Sequence, residues 1–199
     1  INANSHTVTV ASSVDISSVT LTNQGAYVVN SSTTLTARAA QMTAKTITGD
    51  GTTAITALQS TTAANLASIT TLLVTAAATV ADATTINFTG NLGKAAVSIS
   101  GTNGGGNDIF NVSNATIGTA SFAVDANALL LGTAAKLSGV TVTGAGATSI
   151  TGLQSDLDAN LSGVASNTVT ASLTATDTTV NFIGNFGKAT VALTGGDGG

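Results

Sequence analysis

Residues 48–60 of this chain read T-G-D-G-T-T-A-I-T-A-L-Q-S, and residues 143–155 read T-G-A-G-A-T-S-I-T-G-L-Q-S. The same spacing, about 95 residues, separates Gln59 from Gln154, Leu66 from Leu161, and Tyr27-Val28-Val29-Asn30 from Phe122-Ala123-Val124-Asp125. Further on, I-N-F-T-G-N-L-G-K-A from Ile86 matches V-N-F-I-G-N-F-G-K-A from Val180 after a slip of one residue. Apolar positions stay apolar and glycines stay glycine, while the letters between them drift. A chain copied in this way must fold into something that accepts another unit without redesign. We read residues 1–101 as a first unit, incomplete at its start, and 102–199 as a second, ending in the start of a third glycine turn. The missing initiator Met and the break inside that turn read as an excerpt of a longer chain.

Within each unit the large apolar residues alternate with Ser and Thr. Val8-Thr9-Val10, Val19-Thr20-Leu21-Thr22, Val97-Ser98-Ile99-Ser100 and Val140-Thr141-Val142-Thr143 all have period two, the mark of a strand with one buried face. Only 7% of residues are charged, every acid is Asp, and Pro, Cys and Trp are absent. Without Glu and with few Lys, exposed helices lack their usual residues, whereas abundant Thr and Val favour strands. Low-complexity polar chains can fail to fold, but alternation retained between copies argues for order.

Strand centres fall roughly every 8 to 12 residues, a spacing shared by sandwiches, barrels and solenoids. Aromatic residues make up 3% of the chain, too few to fill a wide core, and small residues suit tight stacked rungs. The sequence therefore predicts an all-β fold, a parallel β-solenoid (β-helix or β-roll) with roughly five rungs of about 19 residues per unit. Tandem β-sandwiches are the alternative; they match the unit size but lack a central Trp. The least strand-like segment, Leu35–Met42, allows a short helix, although its partner Leu130–Leu137 contains Gly132. Gln59–Ile69 allows another, with Leu58, Leu66 and Ile69 on one side. Its copy places Ser155 before Asp156, Leu157 and Asp158, as at a helix start.

Between Lys94 and Asn111 the chain runs as a strand, breaks into Asn103-Gly104-Gly105-Gly106-Asn107, places a carboxylate at Asp108 and resumes as Ile109-Phe110. The run begins again at Lys188. This turn resembles the calcium-binding nonapeptide of RTX proteins, G-G-x-G-x-D-x-U-x, over about nine residues, with Asn103 replacing the first Gly. The resemblance implies a Ca2+ site at Asn103, Gly104, Gly106, Asn107 and Asp108. Glycines turn carbonyls toward one point, and calcium takes carbonyl and carboxylate oxygens. In the RTX family each ion is shared between stacked turns, so other rungs would have to supply oxygens. The competing reading is an ordinary glycine turn whose Asp caps the next strand.

Five basic residues, scattered over a chain of net charge −4, leave no footprint for nucleic acid, and no apolar run is long enough for a membrane span. The single histidine, His6, has no distinctive nucleophile beside it among so many hydroxyls. The glycines at Gly49 and Gly144 lack the Lys-Ser/Thr of a phosphate loop. Asp156 and Asp158 face Thr61 and Ala63 in the first copy, which weakens a glycosidase pair. Phe88, Phe110, Phe122 and Phe182 read as core fillers. We expect no enzyme. Composition, copying and the glycine turn together resemble the Ala/Thr/Gly-rich repeat regions of bacterial surface-layer proteins and large RTX-type adhesins. That resemblance implies an extracellular, cell-surface structural element that associates with other copies of itself, with cell-surface polysaccharide as a further partner. A ligand-binding or ice-binding surface, the latter on alternating Thr such as Thr46 and Thr48, is the alternative.

Overall fold

A computed structural model describes residues 5–22, 25–59, 63–102, 108–153, 158–175 and 180–195. The fold is a parallel β-solenoid of about eight turns. Among the described residues the strands are β1 (Val8–Val10), β2 (Val14–Asp15), β3 (Tyr27–Val29), β4 (Thr34–Arg38), β5 (Ile47–Thr48), β6 (Thr52–Thr56), β7 (Leu73–Val80), β8 (Thr85–Asn87), β9 (Ala96–Gly101), β10 (Asp108–Asn111), β11 (Ser121–Val124), β12 (Ala128–Thr133), β13 (Val142–Thr143), β14 (Ala147–Thr151), β15 (Thr168–Ala175) and β16 (Thr190–Gly195). Two single-turn helices, α1 (Ala39–Met42) and α2 (Ala134–Leu137), follow β4 and β12. The chain divides into two compact units, neither continuous in sequence. One comprises Ile1–Thr79, Asn87–Ser98 and Asn114–Ser121; the other comprises Val80–Ile86, Ile99–Ser113 and Phe122–Gly199.

In the first unit each turn contributes to three rows. One row stacks Val8 on Tyr27, Tyr27 on Ile47, and Ile47 on Ile69. A second pairs β2 with β4, β4 with β6 and β6 with β7, all parallel. The third is a corner where Asn65 bridges Asn91 and Asn91 bridges Thr116. Period two sets what faces inward: along β4 and β6 every second residue is buried, so Leu35, Thr53 and Val74 form one interior column and Ala37, Ile55 and Ala76 another. A large residue between two small ones lets layers about 4.8 Å apart interlock.

The second unit repeats these columns. Leu130, Thr148 and Val169 form one, and Gly132, Ile150 and Ala171 the other. Its second row continues from β10 through β12, β14 and β15 to β16. Its corner carries Asn160 bridged to Asn185. In both corners the Asn side chain accepts the N–H two residues on. Asn65 takes Ala67, Asn91 takes Gly93, Asn160 takes Ser162 and Asn185 takes Gly187, at 2.8–3.1 Å. A side-chain amide of this kind stands in for a backbone turn.

Two local expectations are corrected. Leu35–Met42 is strand first and helix second. Thr-Leu-Thr-Ala-Arg alternates, and only the Ala-rich A-A-Q-M coils; in the copy Gly132 belongs to the strand, so its helix penalty is irrelevant. The described part of Gln59–Ile69 is no helix. Leu58, Leu66 and Ile69 do reach the core, but by rounding the Asn65 corner. Asp158 to Val164 round the Asn160 corner in the same way, while Ser155, Asp156 and Leu157 lie outside the described residues. The rung length of about 19 residues is close to what forms: paired strands lie 18–21 residues apart, while the corner bridges span 25–26.

Candidate functional site at the glycine turn

The glycine turn is bracketed by strands, with β9 ending at Gly101 and β10 opening at Asp108. Asn103, Gly104, Gly106 and Asn107 lie outside the described residues. Asp108 is described, and it is fully buried. One of its carboxylate oxygens accepts the N–H of Ala83 at 2.9 Å and the other accepts the N–H of Thr102 at 2.8 Å. Ala83 sits in a left-handed conformation with φ 51°, inside a turn closed by Thr84 donating to the carbonyl of Ala81. Asp108 therefore ties the start of its own strand to two other segments, a stronger role than capping. A Cβ on Gly101 would come within 2.3 Å of the Asn127 carbonyl oxygen and 2.6 Å of the Asp108 carboxylate, so that glycine makes room for both.

Sequence reasoning missed Asp125. It arrives from the turn after β11 and is exposed. Its carboxylate accepts the N–H of Gly101 at 3.2 Å and of Asn127 at 3.0 Å. Consecutive N–H groups at the mouth of the glycine turn, Gly101 and Thr102, thus bind acids from two different rungs. The signal was faint, because Asn30 holds that place in the first copy. Among the described residues no three His, Cys, Asp or Glu side chains gather where a metal could sit.

The other singled-out residues are dispersed. His6 is exposed near the start of the chain, and Asp158 is exposed at the edge of a corner. Phe88, Phe110 and Phe122 fill the interior. Phe182 is half-buried and stacks on Phe186 with ring centroids 4.1 Å apart. Thr48 lies beside Val28, which lies beside Thr9, so hydroxyls on that outer row are interrupted by a methyl-bearing side chain. No helix among the described residues is long and apolar enough to cross a membrane.

A feature unforeseen in the sequence is a buried hydroxyl relay. Thr53 and Thr71 are fully buried, 3.0 Å apart, and Thr71 donates onward to the carbonyl of Leu73. At the copied positions Thr148 and Ser166 lie 2.7 Å apart and Ser166 donates to Thr168. Since the second hydroxyl gives its proton to the carbonyl, the first must be the donor between them. Every described buried side-chain nitrogen or oxygen has a partner. No protein-family model, curated protein or solved structure matches the chain.

Proposed function

We propose that the chain is a structural repeat region of an extracellular bacterial surface protein, a surface-layer element or adhesin stalk at the cell surface that associates with other copies of itself. One observation supports this reading above others: the copied unit repeats its contacts along with its letters. The interior columns, the corner asparagines and the hydroxyl relay recur in both copies. A protein whose contacts are mainly rung to neighbouring rung gains reach by adding units, which is the property a spacer needs. The role is structural rather than catalytic, and cell-surface polysaccharide is its non-self partner.

Calcium belongs to this reading at the glycine turn. Asp108, the preceding Asn103, Gly104, Gly106 and Asn107, and Asp125 from a different rung would hold the ion. The presence of Asp125 favours it, because a second rung must contribute oxygen and calcium takes several oxygen ligands. In millimolar calcium, a site of extracellular affinity adds on the order of 1 kcal/mol. Light scattering over a concentration series, in calcium and in chelator, tests the proposal. Growth from monomer to ordered assemblies, with a calcium-dependent rise in melting temperature that Asp125→Asn removes, is the expected result. A chain that stays monomeric at every concentration would sink the self-associating role, and an unchanged melting temperature would remove the ion.

A further inference from the structure

The repeat supplies an internal control for every side chain, because a residue needed only to close a rung should have an equivalent in the other copy. Lys94 passes this test. Its Nζ donates to the carbonyl of Thr70, and its counterpart Lys188 donates to the carbonyl of Asn167. Arg38, Gln41 and Lys45 do not. In the second copy their places are taken by Thr133, Lys136 and Val140, and the strand and helical turn form there regardless.

These three residues meet at one open cleft of about 510 Å³, lined also by the hydroxyls of Ser17, Ser18 and Thr20 and by the apolar Val19, Leu21 and Ala40. That is within the size range of small-molecule sites. The cleft is held in shape. The amide nitrogen of Gln41 donates to the carbonyls of Ile16 at 2.7 Å and Val19 at 2.8 Å, while its oxygen accepts the N–H of Arg38 at 2.7 Å. The Ser17–Thr20 wall is thereby fixed to the start of α1, and Val19 closes its own turn on Ile16. Two of the chain's five basic residues line this cleft, and no acidic residue does. In a chain of net charge −4 the lining is positive, with the nearby Asp15 carboxylate engaged by the N–H of Ser17 at 2.8 Å.

We propose that this cleft binds an acidic saccharide. Arg38 and Lys45 would take its anionic group, with Arg38 able to grip a carboxylate through two parallel N–H groups. The hydroxyls of Ser17, Ser18 and Thr20 would meet the sugar's own hydroxyls. A planar guanidinium, a flexible ammonium and three short hydroxyls suit a small polyhydroxylated anion, and Val19, Leu21 and Ala40 add apolar surface for the C–H face of a sugar ring. The proposal rests on the surface-module reading for its choice of polysaccharide, but its measurement is independent of assembly.

The test is NMR titration of the isotope-labelled chain with oligogalacturonate, with a neutral oligosaccharide of equal length, and with inorganic sulfate. We expect saturable shifts confined to residues 17–20 and 38–45 with oligogalacturonate, weakened by added salt. The double variant Arg38→Thr, Lys45→Val carries the second copy's residues, so it should keep the fold, which an unchanged far-UV spectrum would verify. It should bind at least tenfold more weakly, and Arg38→Lys should recover part of the affinity. The proposal is overturned by absence of saturable binding, by equal binding of the neutral sugar or of sulfate alone, or by an unaltered affinity in the folded double variant. None of these outcomes depends on whether copies self-associate.

Discussion

Gly49 and Gly144 have φ of 110° and 112°, and a Cβ at either would overlap a carbonyl oxygen of another rung, that of Val29 or Val124. Both the conformation and the close approach demand glycine. Gly144→Ala should therefore cost on the order of 3 kcal/mol, combining backbone strain with overpacking, read as a lowered denaturation midpoint with unchanged slope. The opposite case is Ala44, whose φ of 57° matches the 71° of its counterpart Gly139. An L-residue there bears strain that glycine does not. Ala44→Gly should be neutral to stabilising by up to about 1 kcal/mol, a gain that glycine's greater freedom in the unfolded chain reduces. Asp108→Ala takes the acceptor from two part-buried N–H groups, those of Ala83 and Thr102, and should destabilise by about 2 kcal/mol. Asp108→Asn, which keeps one acceptor, should lose less.

Among elements, the buried hydroxyl relay gives the sharpest expectation. Thr71→Val strands the proton of Thr53 in the interior and should cost about 2 kcal/mol; Thr53→Val removes only a donor and should cost about 1 kcal/mol. The double variant should cost less than the sum, because an isosteric apolar pair leaves nothing unsatisfied. A double-mutant cycle by chemical denaturation measures this coupling directly. Burial also raises the ionisation range of Tyr27 in β3 above its ordinary 10.0. Its neutral form is favoured by the fold, so its contribution is intact below about pH 10 and is lost as pH rises toward the folded value. Alkaline destabilisation should be weaker in Tyr27→Phe. Strands were legible in the sequence where their signal is local alternation, and Val10, Val97, Ile99 and Val142 fell inward as the pattern required. The corners were not. Leu58, Leu66 and Ile69 carry helix-like spacing, and the corner forms at Asn65, whose side chain accepts the N–H of Ala67. Of the glycine-turn site, Asp108 was visible from its motif. Asp125 was not, since its role depends on stacking that no linear spacing records.

At the scale of the molecule, copying explains why a chain with so few large side chains holds together. Each rung buries modest apolar area, but columns such as Leu35, Thr53 and Val74 and their counterparts stack buried side chains directly from rung to rung. Stability then accumulates by neighbour terms rather than from one central core. Duplicating the stretch from Gly49 to Thr143 should raise the denaturant slope and the unfolding free energy together, and loss of cooperativity between old and new copies would show that the neighbour terms do not carry across. The bridge spans described above, none longer than 26 residues, also govern how such a chain yields to load. Every rung is laced only to the ones beside it, so a pull on one end meets a single seam at a time. Pulled from one end, such a coil should pay out in small, similar lengths and rewind when slack, as a thread laid in even coils does on its spool.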